Sequence, residues 1–271
     1  MKTKRNCELT KQEEFVKAHM HYHHQISSWR FIIFVLFLAL WETSAYFGWI
    51  DSFFFSSPCR VVLCLVDLFQ NNHMITHIGI TLYETIISFF LVFLISLLAA
   101  SALWYSGKLS EILEPYLVIL NSLPKSALAP LFIVWLGTGT VTIIVAGISV
   151  AVFGSIISIY TGFQQVDPEK VTLIYTLGGR KQDAFFKVIL PGSLPILLST
   201  AKVNIGLALV GVIIGEFLAA RQGLGYLVIY GSQVFRLDMV ITAIIVLCII
   251  ALIFYKSVQI LEHQIKKKYN Q

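Results

Sequence analysis

From residue 31 onward the chain is a succession of apolar runs, each close to twenty residues long, separated by short polar segments. The runs are Phe31–Ile50, Leu82–Tyr105, Pro115–Leu136, Val141–Tyr160, Ile196–Ala219 and Met239–Tyr255. About twenty helical residues rise about 30 Å, the depth of a bilayer's hydrocarbon layer. Apolar residues make up 57% of the chain and charged residues 13%, with a mean hydropathy of +0.78. A soluble domain carries about 25% charged residues, so this chain lacks the polar surface to face water on all sides. In lipid the backbone must satisfy its own hydrogen bonds, which a helix does. The expected fold class is therefore an all-α integral membrane protein with about six transmembrane helices.

The net charge of +5 does not mark a nucleic-acid partner, because the basic residues sit in short segments between or beyond the apolar runs. That placement is a topology signal, and the partner it implies is membrane lipid. With six spans, Arg60, Arg221 and Arg236 fall on one side and Lys125 and Lys202 within spans. All other lysines and arginines fall on the opposite side, which the positive-inside rule makes the cytoplasm. Both termini and the polar stretch 166–195 are thus expected to be cytoplasmic. The first run follows a polar tail, is long enough to span and has no small-residue cleavage site, so it reads as an anchor. Cys7, Cys59, Cys64 and Cys248 show no metal-ligand spacing and read as inert thiols. His19, His21, His23 and His24 read as part of a solvated tail, so no metal site is expected.

Polar residues inside the runs are the candidates for function. Glu42 lies in the first. Val61–Asn72 is too short and interrupted to span and reads as an interfacial helix ending at an Asn-Asn-His break. The third run contains Asn121, Pro124, Lys125 and Pro130, whose ammonium and freed carbonyls call for a cavity-facing segment. Gly154, Ser158 and Gly162 form a small-residue stripe on the fourth, and Gly211-x-x-x-Gly215 another on the fifth. The fifth also carries Lys202, Asn204 and Glu216. Asn121, Lys125, Lys202, Asn204 and Glu216 are the candidate pore or gate positions. The two lysines would favour an anionic solute, or pair with Glu216 or Glu42.

Val166–Pro195 is the longest polar interruption in the second half. Asp167-Pro168-Glu169 predicts a helix start, with a capping carboxylate, a first-turn proline and an acid at the positive dipole end. That helix should break at Gly178-Gly179, and a second, from Gln182 to Leu190, should be terminated by Pro191. Two short helices joined at a glycine pair make a knob with Arg180 and Lys181 at its tip.

This knob resembles the coupling loop of ATP-binding-cassette importer permeases, whose signature is Glu-Ala-Ala, three residues, Gly, nine residues, Ile-x-Leu-Pro. Gly178 holds the glycine place, Val188 the isoleucine place and Leu190-Pro191 the ending, while Thr172-Leu173-Ile174 replaces the triplet. Trp41-Glu42, Ser57-Pro58, Leu123-Pro124, Ala129-Pro130-Leu131, Trp135-Leu136-Gly137-Thr138-Gly139, Glu216 and Gly223-Leu224-Gly225 look like signatures of the nitrate, sulfonate and taurine subfamily. The second span departs from it, with Glu84 in an arginine place.

The resemblance implies a type I importer permease fold over residues 31–260, with tails at 1–30 and 261–271 and a coupling loop at about 161–195. It implies a homodimer or paired permease, two cytoplasmic ATPase subunits and an extracytoplasmic solute-binding protein in a bacterial-type cell membrane. Thr172, Gly178, Gly179, Arg180, Lys181, Leu190 and Pro191 would couple to the ATPase. Its solutes would be of the sulfonate, taurine, nitrate or vitamin-precursor class. The chain has no Gly-x-x-x-x-Gly-Lys-Ser/Thr phosphate loop. No cofactor is expected in it, and ATP and Mg would be bound by the partner ATPase. Two other classes stay open: an ATP-independent channel or carrier, and an intramembrane enzyme. The enzyme would use Ser149, Ser155, Ser158 or Ser193 with Lys125 or Lys202 as base, since no histidine lies between His77 and His263.

Overall fold

The computed structural model describes residues 11–71 and 74–269, and the secondary structure it assigns there is helical. The break expected at Asn71 to His73 falls largely on residues 72 and 73, outside the described residues. So do Cys7 and the side chains of His21, His23 and His24. Among the described residues no group of three or more histidine, cysteine or acidic side chains could hold a metal ion.

The chain divides into two compact units, Met1–Leu63 and Cys64–Gln271. In the first, helix α1 (Lys11–Tyr46) starts well before the apolar run, so the segment read as a solvated tail is helical from Lys11. Its 36 residues contain neither glycine nor proline, so nothing interrupts the helix on the way into the run. Glu42 accepts a hydrogen bond from the Cys59 N–H at 3.0 Å, at the start of α3 (Pro58–Asn71). A carboxylate there meets unpaired amides and the positive end of the helix dipole. Between them, α2 (Ser52–Phe55) is capped by Asp51, which accepts from the Phe53 N–H at 2.8 Å.

The second unit is built on three long helices: α4 (Met74–Tyr105), α7 (Thr140–Gln164) and α11 (Leu194–Ala219). Their packing follows membrane logic, with small and hydroxyl residues inside and bulky apolar ones outside. On α4, Thr81, Thr85, Ser88, Val92, Ser96 and Ala100 are buried at three- and four-residue spacing, while Phe90, Leu94 and Leu98 are exposed. Ser88 and Ser96 donate to the Ile144 and Val152 carbonyls of α7, each at 3.3 Å. Where α7 crosses α11 the backbones nearly touch. A methyl group on Gly211 would sit 2.7 Å from the Gly147 Cα, and one on Gly215 2.9 Å from the Ile143 Cα. The pair Gly211-x-x-x-Gly215 is a close-crossing face.

Helices α5 (Gly107–Ser122) and α6 (Lys125–Leu136) flank α7 and meet at a bend of 94°. Leu123 is extended ahead of Pro124, as a residue before proline prefers. Among the described residues five helices are long and apolar enough to cross a membrane, and this broken pair, taken as one span, brings the number to six. At 14 residues, α3 does not meet that length. Helices α12 (Leu224–Gln233) and α13 (Leu237–Tyr269) pack together and against α11. Helix α13 also lacks glycine and proline, so the expected tail from residue 261 is helical to Tyr269. The loop between α7 and α11 holds α8 (Pro168–Thr176), α9 (Lys181–Ala184), a π turn (Phe185–Ile189) and α10 (Leu190–Gly192).

Candidate functional site

The loop is a knob whose two turns are fixed by separate local rules. Asp167 caps α8 by accepting from the Glu169 N–H at 2.9 Å. At the other end Gly178 takes φ +80°, with its N–H on the Tyr175 carbonyl at 3.0 Å and the Gly179 N–H on the Ile174 carbonyl at 2.9 Å. These paired bonds are the Schellman closure, which needs a left-handed residue. The two glycines have different reasons. A Cβ on Gly178 would meet nothing, so φ alone demands glycine there, whereas one on Gly179 would lie 2.5 Å from the Ile174 Cγ2. Asp183 then starts α9 by accepting from the Arg180 N–H at 2.9 Å, and it pairs with Lys187 at 3.0 Å. The Arg180 amide, and then Lys187, hold its carboxyl below the ordinary aspartate value.

Thr172, Gly178 and Arg180 lie exposed on this knob beside Leu173, Tyr175 and Leu177, of which Leu177 is 76% exposed. Gly179 is half-buried. Lys181 does not share the tip with Arg180. Its ammonium donates to the Tyr105 carbonyl at 2.9 Å, at the end of α4, and lies 5.4 Å from the Trp104 ring centre. Phe185 is 4% exposed and packs on Trp104, Tyr105 and Phe163, so the knob is braced on α4 and α7. Leu190 packs against the same cluster.

Pro191 does not end the second helix. The chain runs on through α10 and, after a one-residue turn at Ser193, into α11. The π turn ahead of it supplies the reason. There the Leu190 N–H reaches back to the Phe185 carbonyl, and the wider turn relieves the clash a proline ring makes with the carbonyl four residues earlier.

A cavity of about 450 Å³ opens between α7 and α11, with Ser155, Ser158, Ser199, Thr200 and Asn204 among its lining. Asn204 is 1% exposed. Its Oδ1 accepts from the Ser155 hydroxyl at 2.6 Å, and its Nδ2 has no partner. Asn121 lies near this cavity, its Oδ1 3.2 Å from where a Cβ on the lining residue Gly154 would stand. Asn121 and Asn204 are therefore brought towards one place.

The other pore candidates are elsewhere. Lys125 donates to the Leu120 carbonyl and, at 3.2 Å, to the Asn121 carbonyl. It thus caps the broken end of α5, where a cation suits the dipole. Lys202 pairs with Glu262 of α13, not with Glu216 or Glu42. The Lys202 charge is met by that carboxylate, while Lys125 keeps its charge at the end of α5. The hydroxyls of the enzyme alternative serve packing as well: Ser149 and Ser193 donate to helix carbonyls and Ser155 to Asn204.

Glu216 is fully buried at the far end of α11. It accepts from the Thr81 hydroxyl at 2.6 Å and from the Gly225 N–H at 2.5 Å. Thr81 accepts in turn from the Leu224 N–H at 2.8 Å, and the Gly223 N–H donates to the His77 Nδ1 at 3.0 Å. A Cβ on Gly223 would lie 2.5 Å from the Glu216 carboxyl, so Gly223-Leu224-Gly225 is shaped around that side chain. Glu84, 1% exposed, hydrogen-bonds Glu216, and its Oε2 has no partner. Thr81, His77 and Ser155 were not singled out for these roles in the sequence. The hydroxyls that continue from Thr81 through Thr85, Ser88 and Ser96 were the available signal for Thr81, and nothing local marked His77 or Ser155.

Comparison with known proteins agrees with this anatomy. Residues 92–267 match the family described as the inner membrane component of binding-protein-dependent transport systems. A probable ABC transporter permease protein of Haemophilus influenzae is 30% identical over 86% of this chain and 94% of its own. The formylaminopyrimidine transport permease protein of Halalkalibacterium halodurans is 27% identical over 72% and 77%, and the Escherichia coli taurine transport system permease protein 25% over 84% and 85%. Among solved structures, an inward-facing MetNI methionine ABC transporter superposes with a TM-score of 0.64 at 20% identity, covering 70% of this chain and 95% of that one. That likeness supports the type I importer permease fold. The chain belongs to the family of inner membrane components of binding-protein-dependent transport systems, the permease subunits of ABC importers.

Proposed function

We propose that this chain, paired with a second permease, forms the pore through which a small solute passes from an extracytoplasmic binding protein to the cytoplasm. Two cytoplasmic ATPase subunits, which bind the ATP and Mg, drive it through the knob at residues 166–195. Both termini and the knob lie on the cytoplasmic side, a reading supported by the distribution of basic residues. The observation that carries the proposal is the braced knob. Its face at Leu173, Tyr175 and Leu177 is left exposed among the described residues, while Phe185 and Lys181 tie its base to α4 and α7. A push on such an element is passed to the spans as a rigid-body motion.

The solute we infer is a small sulfonate or a vitamin precursor, a reading supported by relatives described as permeases for aliphatic sulfonates, taurine, formylaminopyrimidine and riboflavin. Purification of the chain from its native membrane tests the proposal. An ATPase subunit should accompany the wild-type chain and be lost when residues 178–181 are deleted, with the deleted chain still in the membrane. Equal recovery of the ATPase with both chains removes the knob from the mechanism.

A further inference from the structure

Lys125 carries its charge at a depth where lipid can do nothing for it. The ammonium lies 5.4 Å from the Phe153 ring centre, and the neighbouring Asn121 Oδ1 lies 3.2 Å from where a Cβ on Gly154 would stand. Both landmarks are near the middle of α7. Phe153 is 13 residues from Thr140 and 11 from Gln164, about 16–20 Å from either end of the span at 1.5 Å per residue. That is farther than a four-carbon stem can snorkel, so the charge stays at mid-span. Two of its three N–H groups go to the Leu120 and Asn121 carbonyls, the second at 3.2 Å. Carbonyls orient an ammonium without cancelling its charge. Among the described residues Lys125 has no carboxylate partner, whereas Lys202 has Glu262.

The link between α5 and α6 is polar and open around this charge. Asn121, Ser122 and Ser126 are exposed, and the Asn121 amide makes no hydrogen bond among the described residues. Such a break is not tolerated against lipid at this depth; it must line water or be covered by protein. We propose that the break between α5 and α6 lines the aqueous path of the solute, with Lys125 as a specificity-determining residue that offers its third N–H and its charge to an oxyanion such as a sulfonate. The inference rests on the importer reading and deepens it by selecting an anionic solute. A cation is repelled at this point, and an uncharged solute gains a hydrogen bond without the charge. The two carbonyls share the ammonium with the solute, and weak holding suits a path that must release what it binds.

The test places Asn121→Cys in a chain whose Cys7, Cys59, Cys64 and Cys248 are replaced by alanine, assembled in nanodiscs with its ATPase subunits. Its labelling rates are measured with sulfonatoethyl methanethiosulfonate and with trimethylammonioethyl methanethiosulfonate, each divided by the rate with a free thiol. Both reagents should react, the sulfonate one faster. The ratio of the two should fall by about tenfold when Lys125→Gln is added, since one nearby charge acts on the two reagents in opposite directions, and it should return with Lys125→Arg. A change in the reactivity of the thiol itself cancels in that ratio. If Lys125→Gln fails to assemble, salt serves instead: between 0.1 and 1 M the screening length falls from about 10 to about 3 Å, and the preference for the sulfonate reagent should collapse. Labelling by neither reagent overturns the proposal, because lipid or the second permease then covers the break. A ratio that favours neither reagent, or one that neither Lys125→Gln nor salt changes, overturns it as well. With the ATPase present in the same preparation, these results remove the role of Lys125 alone. If no ATPase assembles with the chain, the importer reading fails and takes this role with it.

Discussion

The Lys181 ammonium donates to the carbonyl oxygen of Tyr105 at 2.9 Å, joining the knob to the end of a helix 76 residues earlier in the chain. The acceptor is one of the carbonyls that a helix C-terminus leaves free, and the cation sits at the negative end of the dipole. The same ammonium lies over the Trp104 ring. In the coupling account, Lys181 is part of the linkage between the knob and α4.

Replacing Lys181 by methionine keeps the aliphatic stem and removes the donor. The variant should insert into the membrane normally, and ATP-driven uptake should fall by about tenfold. Lys181→Arg, which can still reach a carbonyl, should recover part of the loss. Comparing uptake rates in proteoliposomes at matched protein checks this, and a Met variant at wild-type rate would show the bridge to be idle.

Gly178 and Gly179 should fail for different reasons when changed. Gly178→Val forces a β-branched residue to φ +80°, a backbone penalty of about 1–2 kcal/mol with no clash. Gly178→Asn, which tolerates that region, should be mild. Gly179→Ala puts a methyl 2.5 Å from the Ile174 Cγ2 and 2.8 Å from its backbone carbonyl oxygen, so pairing it with Ile174→Ala should relieve only the side-chain part of the defect, whereas that second change should not rescue Gly178→Val at all. ATPase stimulation in the assembled complex separates the two cases.

Glu216 organises the opposite end of the bundle. Glu216→Ala strands the Thr81 hydroxyl and the Gly225 N–H in a buried site, at a cost of about 1–3 kcal/mol for each group left unpaired. A clear fall in the melting temperature of the detergent-solubilised protein is expected. Glu84→Gln should behave in the opposite way. The Glu84 Oε2 is buried without a partner, and an amide puts a neutral group of nearly the same shape in that place. Its melting temperature should equal or exceed that of wild type.

The Asp183 carboxyl is held below its ordinary value by the Arg180 amide and by Lys187. A depressed carboxylate contributes stability above its unfolded value and loses it as pH falls through the native one. Hydrogen-exchange protection of the Arg180 amide, corrected for intrinsic rates, should hold from neutral pH down to about 4, the ordinary aspartate range, and fall below it. In Asp183→Asn the protection should be weaker and independent of pH across that range.

The spans and the knob were legible because both are written locally. Apolar runs set helix length, Asp167-Pro168 starts α8, and Gly178-Gly179 closes it, all within a few residues. Helix ends were less legible, since α1 and α13 run past their apolar runs where no glycine or proline stops them. The partners of the polar residues were not legible at all. Thr81 and Glu216 are 135 residues apart, and only packing shows that they meet. Lys202 carries no local mark of choosing Glu262, and the structure alone shows that Lys125 seals the end of α5. Pro191 misled for a related reason. A proline predicts a stop, and the π turn that accommodates it has no comparable signature in the residues Phe185–Ile189.

A photo-reactive amino acid at position 177, whose leucine is 76% exposed beside Gly178, tests the central claim most directly. Irradiation of native membranes should cross-link the chain to a protein carrying a Gly-x-x-x-x-Gly-Lys-Ser/Thr loop, and ATP should change the yield. The same probe at Phe235, 68% exposed on the side proposed to be outside, should give no such product. Absence of an ATPase adduct at 177, or an equal one at 235, would contradict the coupling account.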